Sequence, residues 1–166
     1  MIEADYLETF GSPLPEGSYD GIGESTWAEY QRLLKPTDGI EILLDSIARP
    51  KAVASNSQAE SLERKLRHTG LIKYFSPHMI SLDDVENGKP APDMFLLAAE
   101  RLGAAPHECL VIEDSLTGVA AGVAAGITVW GYVGESDDDR DLPDMLREAG
   151  ASEIFAHHDE IRAKLL

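Results

Sequence analysis

The sequence has few basic residues, one cysteine and no long apolar run, and each shortage argues against a class of protein. It contains 14 Lys and Arg residues against 30 Asp and Glu residues, which gives a formal net charge of −16. Because binding to nucleic acid of any sequence requires a basic surface, this balance argues against that function. It also argues against docking on anionic membranes. The acidity is explained most simply as a means of staying in solution.

The single thiol and the apolar segments indicate where the protein resides. Cys109 has no second cysteine with which to form a disulfide or a cysteine-based zinc site, which fits a reducing cytoplasm. It lies in an apolar strand-like run, where core packing explains it better than nucleophilic chemistry. No apolar run approaches the roughly 18 residues that a membrane span needs, and MIEADYLETF lacks the features of a signal peptide. We therefore expect a cytoplasmic protein.

The chain has two unequal parts. Residues 1–36 are irregular, with GSPLPEGSYDGIGES rich in Gly, Pro and Ser, and apolar residues at helical spacing predict a helix from Thr26 to Leu34. Asp38 is expected to cap the helix that follows. From residue 37 to residue 166, helical and strand-like segments alternate. A chain of 166 residues can bury one substantial core, so one main domain is expected.

The alternation of segments predicts an α/β domain with three layers, in which right-handed crossovers connect a mainly parallel sheet. The predicted strands cover residues 51–55, 78–81, 109–113, 127–133 and 152–156. The predicted helices cover residues 39–47, 57–68, 93–102, 115–125, 142–149 and the residues from 159 onward. Ligands of such sheets bind beyond the carboxyl ends of the strands, so the residues that follow each strand are the candidates for a site.

Three segments at these strand ends carry candidate site residues. In VASNS, Ser55 and Asn56 stand between a strand and a helix, where they either bind an anion or simply cap the helix. In ENGKPAPDMF, Lys89 lies in a loop stiffened by prolines and either offers a charge to a phosphate or is solvated. In CLVIEDSLTG, Glu113 and Asp114 are adjacent carboxylates, and hard oxygen ligands suit Mg²⁺. Helix capping explains one of these carboxylates but not both.

Together, the three segments resemble the haloacid dehalogenase superfamily, and specifically its phosphatase and β-phosphoglucomutase-like branch. VASNS is similar to the second motif of the family, GKPAPDMF to the third and VIEDSLTGVAAGVAAGI to the fourth, in the same order. The similarity extends from about Asp38 to Val133. It implies a Rossmann-like core and a Mg²⁺-dependent phosphatase or phosphomutase that acts on a small phosphorylated metabolite.

The resemblance implies a role for each matched residue. Ser55 would hydrogen-bond the transferring phosphoryl group, with Asn56 beside it, and Lys89 would bridge the phosphate and the catalytic carboxylates. Asp114 would ligate Mg²⁺ directly, with Glu113 as a further ligand or as a support for the ligand. The next helix would lie close to the sheet because it is rich in small residues, namely Gly118, Ala120, Ala121 and Gly122.

One family motif, a strand that ends in Asp-x-Asp and supplies the nucleophile, has no counterpart in the sequence. ADYLET offers Asp5, but Leu7 stands in the second aspartate position, and only four residues precede Asp5. Residues 3–34 resemble part of the family's helical cap instead. We therefore expect a chain truncated before the cap, with a partial cap segment over residues 1–36 and the core domain over residues 37–166.

The missing strand would lie between the strands that carry Ser55 and Asp114. Its loss would leave a gap of about twice the 4.8 Å spacing between strands. The two strands then close up, or another segment fills the space, or a partner chain donates a strand. An uncovered strand would also favour self-association into a homo-oligomer.

Two functional hypotheses follow. The first is the Mg²⁺-dependent phosphatase or phosphomutase, although the activity of this chain alone is in doubt without a nucleophile. The second is a catalytically inactive remnant that serves as a binding or interaction module. A receiver-like signalling domain fits the GKPAPD spacing poorly, and dehalogenation would need the same absent aspartate. His157 and His158 have no third metal ligand at suitable spacing, so we interpret them as surface residues.

Overall fold

The computed structural model describes residue 27, residues 31–134 and residues 141–166. The chain divides into two compact units, Met1–Lys35 and Pro36–Leu166. Most of the first unit lies outside the described residues, and so do Asp5 and Leu7. Of the helix predicted from Thr26 to Leu34, the structure describes residue 27 and residues 31–34, and residues 27 and 31–33 are helical. The partial cap, the boundary at residue 36 and the missing motif therefore stay predictions.

The second unit is built from short strands that alternate with helices. Its described strands are β1 (Val53–Ala54), β2 (Met79–Ile80), β3 (Leu110–Glu113), β4 (Thr128–Tyr132) and β5 (Glu153–Phe155). Its described helices are α1 (Ile40–Ser46), α2 (Ala59–His68), α3 (Ile72–Phe75), α4 (Asp93–Leu102), α5 (Leu116–Ala124), α6 (Leu142–Glu148) and α7 (His158–Leu165). Each strand and helix predicted between residues 39 and 166 has a counterpart, and of the described α-helices α3 alone was not predicted. None of the described helices is long and apolar enough to cross a membrane.

The strands pair in parallel throughout, which confirms the predicted α/β fold. β1 pairs with β2, and β4 lies between β3 and β5. The described strands form two separate sheets, β1–β2 and β3–β4–β5. The Val53 and Ser55 N–H groups donate to the carbonyls of His78, just before β2, and Ile80, so the backbone groups of Ala54 point to the opposite edge of β1.

Apolar side chains cover both faces of the three-stranded sheet, because successive strand residues point to opposite faces. On one face, Val111 and Val129 pack with residues of α4, α5 and α6, namely Phe95, Val119, Ala121 and Leu146. On the other face, Leu110 and Trp130 pack with residues of α1 and α7, namely Leu43 and Ile161. This arrangement has the three layers that the alternating sequence predicts.

The capping of two helices agrees with the sequence in one case and differs from it in the other. Gly103 ends α4 in the left-handed conformation, with φ of 68°, as expected of a glycine after a helix. Asp38, in contrast, does not cap α1, so that prediction was wrong. The N-cap is Gly39, with no side-chain hydrogen bond, and the Asp38 backbone carbonyl is engaged by the ring of His158 instead.

The turn Leu82–Asp84 allows a prediction about stability. The Asp84 carboxylate accepts hydrogen bonds from the Ser81 hydroxyl at 2.6 Å, the Ser81 N–H at 2.8 Å and Arg101 at 2.7 Å. These bonds, that of the Ser81 hydroxyl above all, lower the pKa of Asp84 to about 2. The ionised carboxylate therefore stabilises the fold above its ordinary pKa of about 3.9, and this contribution is lost as pH falls toward 2.

We expect Asp84→Asn to lower the free energy of unfolding by about 1 kcal/mol at pH 7, after allowance for solvent screening of this partly exposed group. The difference from the wild-type protein should shrink below about pH 4, the range in which the unfolded carboxylate takes up its proton. Urea denaturation at pH 7 and pH 3 measures both values. Glu86→Gln is the control, because Glu86 is exposed. A loss for Asp84→Asn that is equal at both pH values would contradict the prediction.

Candidate active site

A cavity of about 520 Å³ opens where β1 and β3 end. Because the strands of each sheet are parallel, their carboxyl ends meet at one edge, and the predicted site residues line the cavity together: Ser55, Asn56, Lys89, Glu113 and Asp114. The remaining lining residues are Thr37, Val53, Ala54, Leu62, Ile112, Ser115, Thr117, Tyr132 and His158. The three strand-end segments thus converge on one site.

A buried ion pair spans the cavity between the two sheets. The Lys89 ammonium donates to the Ala54 carbonyl oxygen at 3.0 Å and to the Glu113 carboxylate. The Lys89 and Glu113 side chains are 9% and 8% exposed, respectively. The Nζ atom also lies 4.8 Å from the centre of the Phe95 ring, within the range of a cation–π contact. Lys89 is therefore held in place and is not the solvated loop lysine of the alternative interpretation.

The Asn56 side chain fixes the backbone of Lys89. Its Nδ2 donates to the Lys89 carbonyl at 3.0 Å, and its Oδ1 accepts from the Lys89 N–H at 2.9 Å. A Cβ atom on Gly88 would lie 2.8 Å from this Oδ1, so the glycine makes room for the contact. The N-cap of α2 is Gln58, without a side-chain hydrogen bond. Asn56 therefore does not cap this helix, and its contacts hold the lysine.

Ser55 lies directly after β1, and its N–H donates to the Ile80 carbonyl of β2 at 3.0 Å. Its hydroxyl oxygen accepts from the Ser57 N–H at 3.2 Å. This short turn keeps the hydroxyl at the cavity wall and, like Asn56, leaves α2 uncapped. The hydroxyl hydrogen can still be donated to a ligand.

Glu113 and Asp114, although adjacent, have different surroundings. Glu113 points toward α5, where its second carboxylate oxygen accepts from the Ser115 hydroxyl at 3.1 Å. The same hydroxyl oxygen accepts from the Gly118 N–H at 3.1 Å and so caps α5. A Cβ atom on Gly118 would overlap the Glu113 carboxylate, so only glycine fits there. Asp114 does not cap this helix, which excludes the alternative role for that residue.

Asp114 is the carboxylate left for a cation. It is exposed, lines the cavity and makes no hydrogen bond or ion pair with the part of the chain that the structure describes. Both oxygens of Glu113 are already engaged. The described residues contain no cluster of three or more His, Cys, Asp or Glu side chains suited to a metal. A single free carboxylate nevertheless fits Mg²⁺, which takes one or two protein carboxylates and keeps several waters.

Cys109 lies away from the cavity and packs against the cluster that contains Val111. Burial, and to a smaller extent the nearby Glu108 carboxylate, raises the pKa of the thiol. A raised pKa disfavours the reactive thiolate. These observations agree with the packing role that the sequence predicts.

His158 corrects one interpretation of the sequence. It is only 6% exposed and lines the cavity, whereas the sequence predicts a surface residue. His157 is exposed, as expected. Tyr132, which stacks on His158, was also not predicted as a site residue. Both follow the general rule for strand ends, because Tyr132 ends β4 and His158 comes shortly after β5.

Comparison with known proteins identifies the family. Residues 22–126 match the haloacid dehalogenase-like hydrolases. The chain belongs to this family. This match confirms the family that the three sequence motifs resemble.

Two curated relatives of the chain are phosphatases. The phosphorylated carbohydrates phosphatase of Thermotoga maritima is 39% identical over 127 residues, which cover 74% of this chain and 56% of that protein. The fructose-1-phosphate phosphatase of Escherichia coli is 44% identical over 79 residues, which cover 48% of this chain and 42% of that protein. The chain thus spans about half the length of these curated relatives. This similarity confirms the phosphatase-like branch.

A solved structure agrees with this assignment. A haloacid dehalogenase family hydrolase from Deinococcus radiodurans, with bound phosphate and sodium, matches this fold with a TM-score of 0.79 and 32% sequence identity. The match covers 99% of this chain and 73% of that one.

Proposed function

We propose that the protein is a Mg²⁺-dependent phosphatase or phosphomutase that acts on the phosphate ester of a small metabolite. The observation that carries this proposal is the position of Lys89, whose ammonium is held between Ala54 and Glu113 at the wall of the cavity. A charge held in place before a ligand arrives stabilises negative charge without reorganisation. The names of the phosphatase relatives favour a phosphorylated sugar as the substrate class.

The contacts of Lys89 leave it able to bind a phosphoryl oxygen. An ammonium group has three hydrogens, and two of them are directed at Ala54 and Glu113. The third is available to a ligand in the cavity. The Ser55 hydroxyl, on the same wall, can donate a second hydrogen bond to the phosphoryl group. Asn56 would act through Lys89, because it holds the backbone of the lysine.

The charges around the cavity explain why a divalent cation is part of the proposal. Among the described lining residues, Lys89 is offset by Glu113, and Asp114 adds a further negative charge. A phosphate ester brings more negative charge into the same space. Asp114 would hold Mg²⁺, which when bound would neutralise phosphoryl oxygens and help to orient the ester. A reducing cytoplasm, consistent with the free thiol of Cys109, is the expected location.

A second candidate is a module that binds phosphate without turnover. It is favoured by the division of the described strands into two sheets, with Glu113 engaged and Asp114 as the remaining carboxylate among the described residues of the cavity. In that function Lys89, Ser55 and Asp114 would keep their binding roles, and no covalent step would take place.

One experiment separates the two candidates. The purified protein is assayed with Mg²⁺ for hydrolysis of an aryl phosphate, and binding of inorganic phosphate is measured by calorimetry. We expect Mg²⁺-dependent hydrolysis that Asp114→Asn reduces by about 10–100-fold, because the cation loses its ligand. Asp144→Asn is the matched control, since Asp144 lies on α6, is exposed and pairs with Arg147.

The two candidates predict different combinations of phosphate binding and hydrolysis. Phosphate binding that depends on Mg²⁺ and Asp114, without hydrolysis, would support the binding module. Equal hydrolysis by the wild-type protein and Asp114→Asn would contradict the role of Asp114. Failure of the wild-type protein both to hydrolyse the aryl phosphate and to bind phosphate would rule out both candidates.

A further inference from the structure

His158 is a buried polar side chain that the proposed function does not use. It is the first residue of α7, and it lines the cavity together with Tyr132. Buried imidazoles normally have hydrogen-bond partners, so the contacts of each ring nitrogen indicate what the ring can do.

One ring nitrogen is engaged and the other is not. Nδ1 lies 2.8 Å from the backbone carbonyl oxygen of Asp38. A carbonyl oxygen can only accept, so Nδ1 carries the hydrogen, and in the neutral ring Nε2 then has a free lone pair. Within the described ranges, Nε2 has no hydrogen-bond partner, and it is not enclosed as a buried unsatisfied atom.

The orientation of the ring is fixed from two sides. The ring stacks on Tyr132, with 4.4 Å between ring centroids and 25° between ring planes. The Tyr132 hydroxyl lies 3.4 Å from Nδ1. Together with the Asp38 carbonyl, this stacking prevents the ring from turning over, so Nε2 remains the available acceptor of this cavity-lining residue.

His158 lies at a distance that suits the body of a substrate. It comes shortly after β5, whereas Asp114 directly follows β3, with β4 between the two strands. The ring stacks on Tyr132 of β4, so it lies between one and two strand spacings from β3, or about 5–10 Å. A phosphoryl group at Asp114 would therefore leave the side of the cavity near His158 to the rest of the ligand. The cavity volume of about 520 Å³ also has room for more than the phosphoryl group.

We propose that His158 is a specificity-determining residue whose Nε2 accepts a hydrogen bond from a hydroxyl group of the ligand. The site would then select hydroxylated phosphate esters over esters with an apolar body. This inference rests on the proposed function, because the phosphoryl group must occupy the end of the cavity near Lys89.

A pair of matched ligands tests this inference. Glycerol 1-phosphate and propyl phosphate have the same carbon chain, and only the first carries additional hydroxyl groups. Calorimetry with Mg²⁺ in mildly alkaline buffer measures the affinity of the protein for both esters and for inorganic phosphate. For any ester that is hydrolysed, kcat/KM is measured instead of the affinity. We expect the wild-type protein to prefer glycerol 1-phosphate by roughly tenfold, the value of one good hydrogen bond.

The variants separate ligand recognition from a merely structural role. In His158→Asn, the amide nitrogen can still donate to the Asp38 carbonyl, but nothing replaces Nε2. We expect this variant to lose the preference for glycerol 1-phosphate and to keep its affinity for inorganic phosphate and its melting temperature. His157→Asn is the control, because His157 does not line the cavity. It should leave the preference unchanged.

Each outcome has one interpretation. An unchanged preference in His158→Asn overturns the inference and leaves the proposed function intact. Equal affinity of the wild-type protein for both esters also overturns it. A wild-type protein that neither binds inorganic phosphate nor binds or hydrolyses either ester overturns the proposed function and the inference together. If His158→Asn does not fold, His158→Gln is compared with the wild-type protein in its place. Its amide lies near the position of Nε2, so this variant should keep part of the preference for glycerol 1-phosphate.

Discussion

Replacing Lys89 by methionine is expected to lower the free energy of unfolding by about 3–5 kcal/mol, because the change leaves a buried carboxylate without its counter-ion. Glu113 is buried, and its first oxygen accepts from the ammonium of Lys89. Without that ammonium, the Ser115 hydroxyl is the remaining described donor to the carboxylate, at 3.1 Å. Urea denaturation at neutral pH, followed by circular dichroism, measures the loss.

Two further variants test whether burial of the ion pair causes the loss of stability in Lys89→Met. Lys89→Met combined with Glu113→Gln removes both charges and should recover most of the lost stability, since an uncharged pair avoids the cost of an isolated ion. Lys73→Met removes an exposed ion pair. The Lys73 Nζ lies 3.3 Å from the Glu41 Oε1, and the two side chains are 60% and 51% exposed, respectively. That change should cost much less, because solvent screens an exposed pair. A cost for Lys89→Met no greater than that for Lys73→Met would refute the importance of the buried pair.

Local sequence signals were sufficient for much of the fold. The bounds of α4 agree with the predicted helix over residues 93–102, because prolines precede it and Gly103 ends it. The parallel pairing also followed from the alternation of segments. The helix α3 was missed because its residues, Ile72–Phe75, form a single turn without a measurable period.

The site was predictable where its residues follow a strand directly. Ser55 and Asp114 lie at strand ends, and the general rule for parallel sheets places such residues around one cavity. Contacts between distant segments were not predictable in this way. The His158 ring reaches a carbonyl 120 residues earlier in the chain, and nothing near His158 in the sequence indicates this partner. The pairing of Asn56 with Lys89 joins residues 33 positions apart and was equally hidden.

The adjacent carboxylates show how a correct motif can group residues with different surroundings. In the sequence, Glu113 and Asp114 form one acidic pair. In the structure, Glu113 is the last residue of β3 and its side chain packs under α5, whereas Asp114 is exposed at the cavity. Side chains of successive strand residues point to opposite faces, which explains the separation. Of the two, Asp114 is therefore the better candidate for a Mg²⁺ ligand, and Glu113 for the partner of the lysine.

We expect Gly118→Ala to lower the free energy of unfolding by about 2–3 kcal/mol, although alanine is the better helix former. A Cβ atom at position 118 would overlap all three terminal atoms of the Glu113 side chain. That side chain has little freedom to move, because Lys89 and Ser115 hold its oxygens. Displacing it would strain the core and weaken the ion pair, and these costs outweigh the gain in helix propensity.

In a protein that already carries Glu113→Ala, Gly118→Ala is expected to raise the free energy of unfolding instead of lowering it. Once the carboxylate is absent, the Cβ atom at position 118 has no clash with it, and the gain in helix propensity of about 0.5–1 kcal/mol should appear as stabilisation. Urea denaturation of the wild-type protein, both single variants and the double variant measures the coupling between the two positions. If Gly118→Ala destabilises both backgrounds equally, the glycine is required for a reason other than its contact with Glu113. A change of sign would show that α5 carries a glycine at this position because the buried partner of Lys89 lies directly against it.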